Sequence, residues 1–159
     1  MSGNRSTEEA GLRAAETGVK YEYRQRVTYC HTNAAGHVSP DEYARLFGMV
    51  REIFGLDSIP RFKEEAGKNY ILKTRNATYE FHRDFFFGDL MNIRMAVVEI
   101  AGASFTLAAE FVNDATGDIH AKGCQEIIYA DMAGRPRRLS PELREVLNGL
   151  IVAPEEKKP

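Results

Sequence analysis

The segment from Ser39 to Phe54, SPDEYARLFGMVREIF, constrains the fold more than any other part of the chain. Ser39 reads as a helix N-cap, Pro40 as the first helical residue and Glu42 as the third. This S-P-D-E pattern predicts a capping box, with proline where its missing N–H is harmless. Asp41 and Glu42 put negative charge in the first turn, where the helix dipole favours it. Tyr43, Leu46, Phe47, Val50, Ile53 and Phe54 then recur at helical spacing, an apolar stripe that has to be buried. Asp41, Arg45, Gly48 and Glu52 fall opposite. The spacing predicts one long helix from Pro40 to about Phe54, stopped at Gly55 and laid against a sheet.

The remainder reads mostly as strands. Lys20 to Tyr29 alternates, with Tyr21, Tyr23, Gln25, Val27 and Tyr29 on one side. Cys30 to Val38 is a loop of small residues. Ser58 to Ala66 is expected to hold a short second helix. Tyr70 to Arg83 is a long strand with Ile71, Ala77, Tyr79 and Phe81 on one parity, and the turn at Asp84–Asp89 carries Phe85, Phe86 and Phe87. Leu90–Ile100, Ser104–Val112 and Ile119–Tyr129 follow, separated by Gly102 and by a turn at Asn113, Asp114 and Gly117. Asp131–Pro136 is a loop, and Ser140-Pro141-Glu142 starts a short helix ending at about Leu147. One helix among so many strands is no α/β crossover repeat. The expected class is α+β, a single sheet wrapped around one long helix, with open edges that dimerisation would pair. Residues 1–18 and 151–159 are polar and expected as tails around one domain at 19–150.

Composition narrows the function. A chain of 159 residues supports one core, and a net charge of −2 gives no reason to expect nucleic acid. Cys30 and Cys124 make no disulfide framework, which suits a reducing compartment. There is no signal-peptide h-region and no run of membrane-spanning length, so a soluble, cytoplasmic protein is expected, without a membrane partner. The histidines and cysteines lack zinc spacing, and no G-x-S-x-G elbow or Gly-rich phosphate loop occurs, so no metal or cofactor is expected.

The run Asn33-Ala-Ala-Gly36-His37-Val38-Ser39 before the helix resembles the Asp-x-x-Gly-His-Val-Asn motif of hot-dog thioesterases of the hydroxybenzoyl-CoA thioesterase-like superfamily. The likeness covers roughly residues 20–148 by motif and element order. It implies a five-stranded antiparallel sheet around a central helix, dimers or tetramers with active sites at subunit interfaces, and acyl-CoA or acyl-carrier-protein thioesters as substrates. Asparagine at 33, in place of the usual carboxylate, with Tyr43 and Arg51 on the helix, is similar to the thioesterases of enediyne polyketide pathways, of calicheamicin and dynemicin type. That likeness implies release of a β-keto polyenyl chain from the carrier-protein domain of an iterative polyketide synthase. Loss of carbon dioxide from the β-keto acid would then give a methyl-ketone polyene. It also implies Asn33, Tyr43 and Arg51 as catalytic residues, and Gly36, His37, Val38 and Phe47 as substrate-binding.

The chemistry of these residues is a separate matter. The Asn33 amide does not titrate, so it is no base; it can donate N–H bonds to an oxyanion, or simply form a turn. Arg51 is always charged and lies ~80° from Tyr43 on the helical wheel. It either reaches a pocket edge or snorkels at the surface. Tyr43 is either a core tyrosine or a channel wall. Gly36, His37 and Val38 lead into the helix N-terminus, whose free N–H groups would polarise a thioester oxygen. Glu42 and Glu52 remain as acids on the helix. Arg135, Arg137 and Arg138 form either a solvated loop or a docking patch for an acidic carrier protein or CoA phosphates. Two further readings stay open: a general acyl-CoA thioesterase, and a non-catalytic hot-dog protein that binds acyl chains.

Overall fold

The computed structural model describes residues 21–151. The expected tails at 1–18 and 152–159, and Lys20, lie outside the described residues. Five strands, β1 (Tyr21–Arg26), β2 (Ile71–Phe81), β3 (Leu90–Ile100), β4 (Ser104–Asn113) and β5 (Ile119–Ala130), form one sheet in the order β1-β3-β4-β5-β2. All neighbouring strands are antiparallel. The helices are α1 (Pro40–Ser58), α2 (Phe62–Glu65) and α3 (Pro141–Asn148). The class is therefore α+β, as expected. Ile151, expected in the tail, bridges Val97 in parallel beside β3.

The two faces of the sheet have opposite chemistry. One face packs Met91, Ile93, Met95, Val97, Leu107, Phe111 and Ile127 against Tyr43, Leu46, Phe47, Val50 and Phe54 of α1. Burying each such side chain contributes roughly 1.5–3 kcal/mol, so α1 is held by its stripe rather than by propensity. The other face carries one row in register across all five strands, Glu22–Arg94–Glu110–Lys122–Glu80, alternating in sign. Glu110 is only 2% exposed, and its cross-strand neighbours Arg94 and Lys122 explain how a carboxylate is tolerated there.

Four local expectations need correction. First, Ser39 occupies the N-cap position of α1 with proline next, but its side chain makes no cap hydrogen bond. Glu42 pairs with Arg45 at 2.8 Å instead of reaching back. The Ser39 hydroxyl sits against Asp41, whose carboxyl it holds below the usual range. The cap is made at α3, where Leu143 N–H donates to Ser140 Oγ at 3.2 Å. Ser140→Ala is therefore expected to cost about 1 kcal/mol, and Ser39→Ala clearly less. Urea midpoints of the two variants compare them, and equal losses would contradict the assignment.

Second, α1 does not stop at Gly55 but runs on to Ser58, with Ile59 N–H bonded to the Gly55 carbonyl. Gly55 is buried because the Phe62 ring lies on it; a Cβ there would stand 2.7 Å from two ring carbons. Gly55→Ala is expected to lose roughly 1–3 kcal/mol by overpacking, more than the ~1 kcal/mol that alanine gains in a helix. A raised denaturation midpoint would show that Phe62 swings aside. The short second helix is confined to Phe62–Glu65, after Arg61 in a left-handed conformation (φ 56°).

Third, β2 is bulged between Thr74 and Asn76. The extra residue, Arg75, flips the parity. Leu72 and Thr74 therefore share the helix-facing side with Ala77, Tyr79 and Phe81, opposite Tyr129, Ile127, Gln125, Gly123 and Ala121 of β5. Ile71 moves to the other face. Fourth, β1 ends at Arg26, and Tyr29 belongs to a 3-10 turn, Tyr29–His31. There the Thr28 N–H donates to His31 Nδ1 at 2.9 Å, which turns the chain.

Among the described residues, no helix is long and apolar enough to cross a membrane.

Candidate functional site

The loop before α1 is a closed turn built on Asn33. Its backbone N–H donates to the His37 carbonyl (3.0 Å), and its own carbonyl accepts from Gly36 N–H (2.9 Å). Its side-chain Oδ1 accepts from Ala35 N–H at 3.0 Å. Gly36 adopts a positive φ of 84°, which its lack of a Cβ allows. Asn33 is thus a turn-former. With Oδ1 engaged in the turn, the NH2 group is what its exposed side chain has left to donate.

The backbone donors at this end of α1 are mostly committed. Val38 N–H goes to Phe85 O at 2.9 Å, Ser39 N–H to His31 O and Glu42 N–H to Ser39 O. Asp41 N–H faces its own carboxylate. The expected row of free N–H groups is therefore largely used inside the chain, which raises the weight on the Asn33 amide. Half-buried His37 holds the Val38 carbonyl through Nδ1 at 3.2 Å, with Asp84 Oδ1 3.9 Å away. Since a carbonyl only accepts, Nδ1 carries the proton.

Tyr43 is buried among Phe81, Phe85 and Phe111, with ring centroids 5.1–6.4 Å away. Burial, then the nearby Asp84 carboxylate, push its hydroxyl up to about 12. Tyr43 stays neutral at any working pH. Phe47 is fully buried in the core, with its ring against Phe111.

Arg51 does not snorkel. Its Nη1 donates to Thr74 Oγ1 and to Gln125 Oε1, both at 2.9 Å. Gln125 Nε2 in turn donates to the Tyr79 hydroxyl at 2.9 Å. Burial lowers the pKa of Arg51, against the opposing effect of the Glu52 carboxylate; it remains a cation. The bonds that hold it go to neutral oxygens. Thr74, Tyr79 and Gln125 escaped the sequence reading. The available signal was an amide on the buried parity of β5, between Gly123 and Ile127.

Asn33 and Arg51 do not meet within one chain. The contacts of Asn33 lie in its own loop, whereas Arg51 sits about 16 Å further along α1 than Pro40, at roughly 1.5 Å per residue. Of the acids on α1, Glu42 is tied to Arg45 and Glu52 is exposed. In the basic loop, Arg135 pairs with Asp131 at 3.1 Å, and Arg137 bonds Asn69 O and lies over the Tyr129 ring. Among the described residues, no such contact holds Arg138.

Comparisons agree with this architecture. The dynemicin thioesterase, with crystal structures that reveal polyene binding, superposes with a TM-score of 0.78 at 25% identity, over 84% of this chain and 98% of that one. A gentisyl-coenzyme A thioesterase superposes with a TM-score of 0.71 at 23% identity, over 80% of this chain and 99% of that one. A thioesterase from Thermus thermophilus, complexed with coenzyme A and zinc, gives 0.71 at 19%, over 82% and 98%. No curated protein sequence matches. The family model of the thioesterase-like superfamily matches residues 11–147. Sequence and fold together make this chain a member of the thioesterase-like superfamily, a hot-dog hydrolase acting on thioester bonds.

Proposed function

We propose that this enzyme hydrolyses a β-keto polyenyl thioester from the carrier-protein domain of an iterative enediyne polyketide synthase. The observation that carries the proposal is Asn33, an amide that can donate but cannot serve as a base, at the position where the hot-dog motif carries an acid, in a chain 25% identical to the dynemicin thioesterase. Water adds to the thioester carbonyl, Asn33 stabilises the oxyanion while Arg51 holds the β-keto oxygen, and the carbon–sulfur bond breaks. The proton released by water ends on the departing thiol. The β-keto acid then loses carbon dioxide to give a methyl-ketone polyene.

The separation of Asn33 from Arg51 favours a site shared by two copies. Tyr43 packs on Phe81 and Arg51 on Thr74, so α1 runs antiparallel to β2. β2 is an edge strand. Antiparallel pairing of two β2 edges sets the Thr74 end of one chain beside the Phe81 end of the other. Arg51 of one copy then approaches the Asn33 end of its mate.

The test is mass spectrometry of products released from carrier protein loaded with a β-keto polyenyl chain. The β-keto acid or its methyl ketone is the expected product. Turnover of simple acyl-CoA thioesters with no release from the carrier would replace this reading with a general acyl-CoA thioesterase. No turnover of either would indicate an acyl-binding protein.

A further inference from the structure

The guanidinium of Arg51 is held in a manner that leaves one edge free. Its N–H groups radiate in one plane, and among the described residues only Nη1 is committed, to Thr74 and Gln125. Nε and Nη2 together form a two-pronged edge, the geometry that grips two oxygens of one anion.

The Gln125 orientation follows from chemistry alone. Arginine only donates, so the amide oxygen must face it, and the amide nitrogen must face Tyr79. Gln125 is 4% exposed, so both ends of its amide need partners, and both have them. Tyr79 is fixed in turn by Gly123. A Cβ at residue 123 would stand 2.9 Å from Tyr79 Cε1 and 3.3 Å from Phe47 Cδ1. The glycine lets the Tyr79 ring lie across the β5 backbone, with its hydroxyl reaching Gln125 two residues along. Because that hydroxyl oxygen accepts from Gln125, its own proton is left to point elsewhere. Glutamate at 125 would hold the arginine as firmly but neutralise it. A neutral amide holds the cation and keeps its charge for a ligand.

We propose that Gln125, locked by Tyr79, is a positioning residue that aims the free edge of Arg51 at the β-oxygen of a β-keto thioester. The inference rests on the thioesterase reading above and names what it selects: an acyl group with a second oxygen, which delocalises charge as an enolate. The loss of one hydrogen bond to a charged group predicts a loss of roughly tenfold or more in selectivity.

The experiment compares kcat/KM on acetoacetyl-pantetheine and butyryl-pantetheine, thioesters that differ by one oxygen. In Gln125→Leu and in Tyr79→Phe the acetoacetyl-to-butyryl ratio should fall about tenfold. In Gln125→Glu the preference should vanish, because the new carboxylate pairs with Arg51. Tyr79→Phe removes only a hydroxyl, so it reads the proposal even where Gln125→Leu fails to fold. A parallel loss on both substrates, with the ratio unchanged, would mean a purely structural role and overturn the positioning assignment. Arg51→Ala separates the levels. If it impairs acetoacetyl turnover while the Gln125 and Tyr79 variants keep the ratio, this inference fails and the thioesterase reading stands. If Arg51→Ala changes nothing, both assignments of Arg51 fall.

Discussion

Arg51→Ala should lower single-turnover release of a carrier-bound β-keto thioester on the order of 10²-fold. The side chain is half-buried between α1 and the sheet, where a charge acts through less screening than at the surface. Its hydrogen-bond partners, Thr74 and Gln125, are neutral, so no carboxylate is bonded to it directly. Arg51→Lys should not restore the rate. An ammonium is a point charge, and it cannot bond Thr74 and Gln125 while offering a second edge. Asp41→Ala is the control from the same helix. Asp41 is exposed and engages the Ser39 hydroxyl, so its removal should leave release unchanged. Full activity in Arg51→Ala, measured on folded protein of unchanged denaturation midpoint, would remove Arg51 from the site.

Features set by local sequence were the ones legible in advance. The stripe Tyr43, Leu46, Phe47, Val50 and Phe54 is a one-dimensional pattern, and α1 buries those residues. Strand runs bounded by Gly102 and by Asn113–Gly117 were legible for the same reason. Features set by a distant partner were not. The bulge at Arg75 depends on pairing with β5, so no pattern within β2 announces it, and it reassigned Ile71 and Leu72. Gly55 looked like a helix stop because glycine often is one; its actual reason is the Phe62 ring, which arrives from the next element. The capping box failed because Glu42 found Arg45 one turn on, a competitor within the same helix.

The site divided along the same line. Asn33 could be read from its motif, and its turn is local. The placement of Arg51 beside the stripe was legible on a wheel. Its partners were not, since Thr74 and Gln125 are 23 and 74 residues away in sequence. Phe47, expected as substrate-binding from the family likeness, packs against Phe111 and beside the Gly123 backbone, partners that are again distant in sequence.

Asn33→Asp should lower release of the β-keto polyenyl thioester while retaining or raising activity on a simple acyl thioester. The substitution preserves the turn, because an aspartate oxygen accepts the Ala35 N–H as the amide oxygen does now. The NH2 donor is lost, and a negative charge appears where the oxyanion must form. Removal of one oxyanion donor alone costs about 10²-fold, and a nearby carboxylate adds repulsion. If Arg51 of a second copy approaches this loop, the new carboxylate also pairs with it and withdraws its charge from the β-oxygen. A simple acyl group lacks that oxygen, so it loses less, and it gains a base or nucleophile for water or direct attack. The pH profile gives an independent readout. Asn33 does not titrate, Arg51 stays charged, and Tyr43 is pushed up to about 12, so none of these produces an acid limb in the native enzyme. In Asn33→Asp, activity on the simple thioester should acquire one, falling as pH drops through about 4, near the usual aspartate range. Steady-state rates of both proteins on both substrates decide the matter, and faster β-keto release by the aspartate variant would show that the native site is not built around an Asn33 donor.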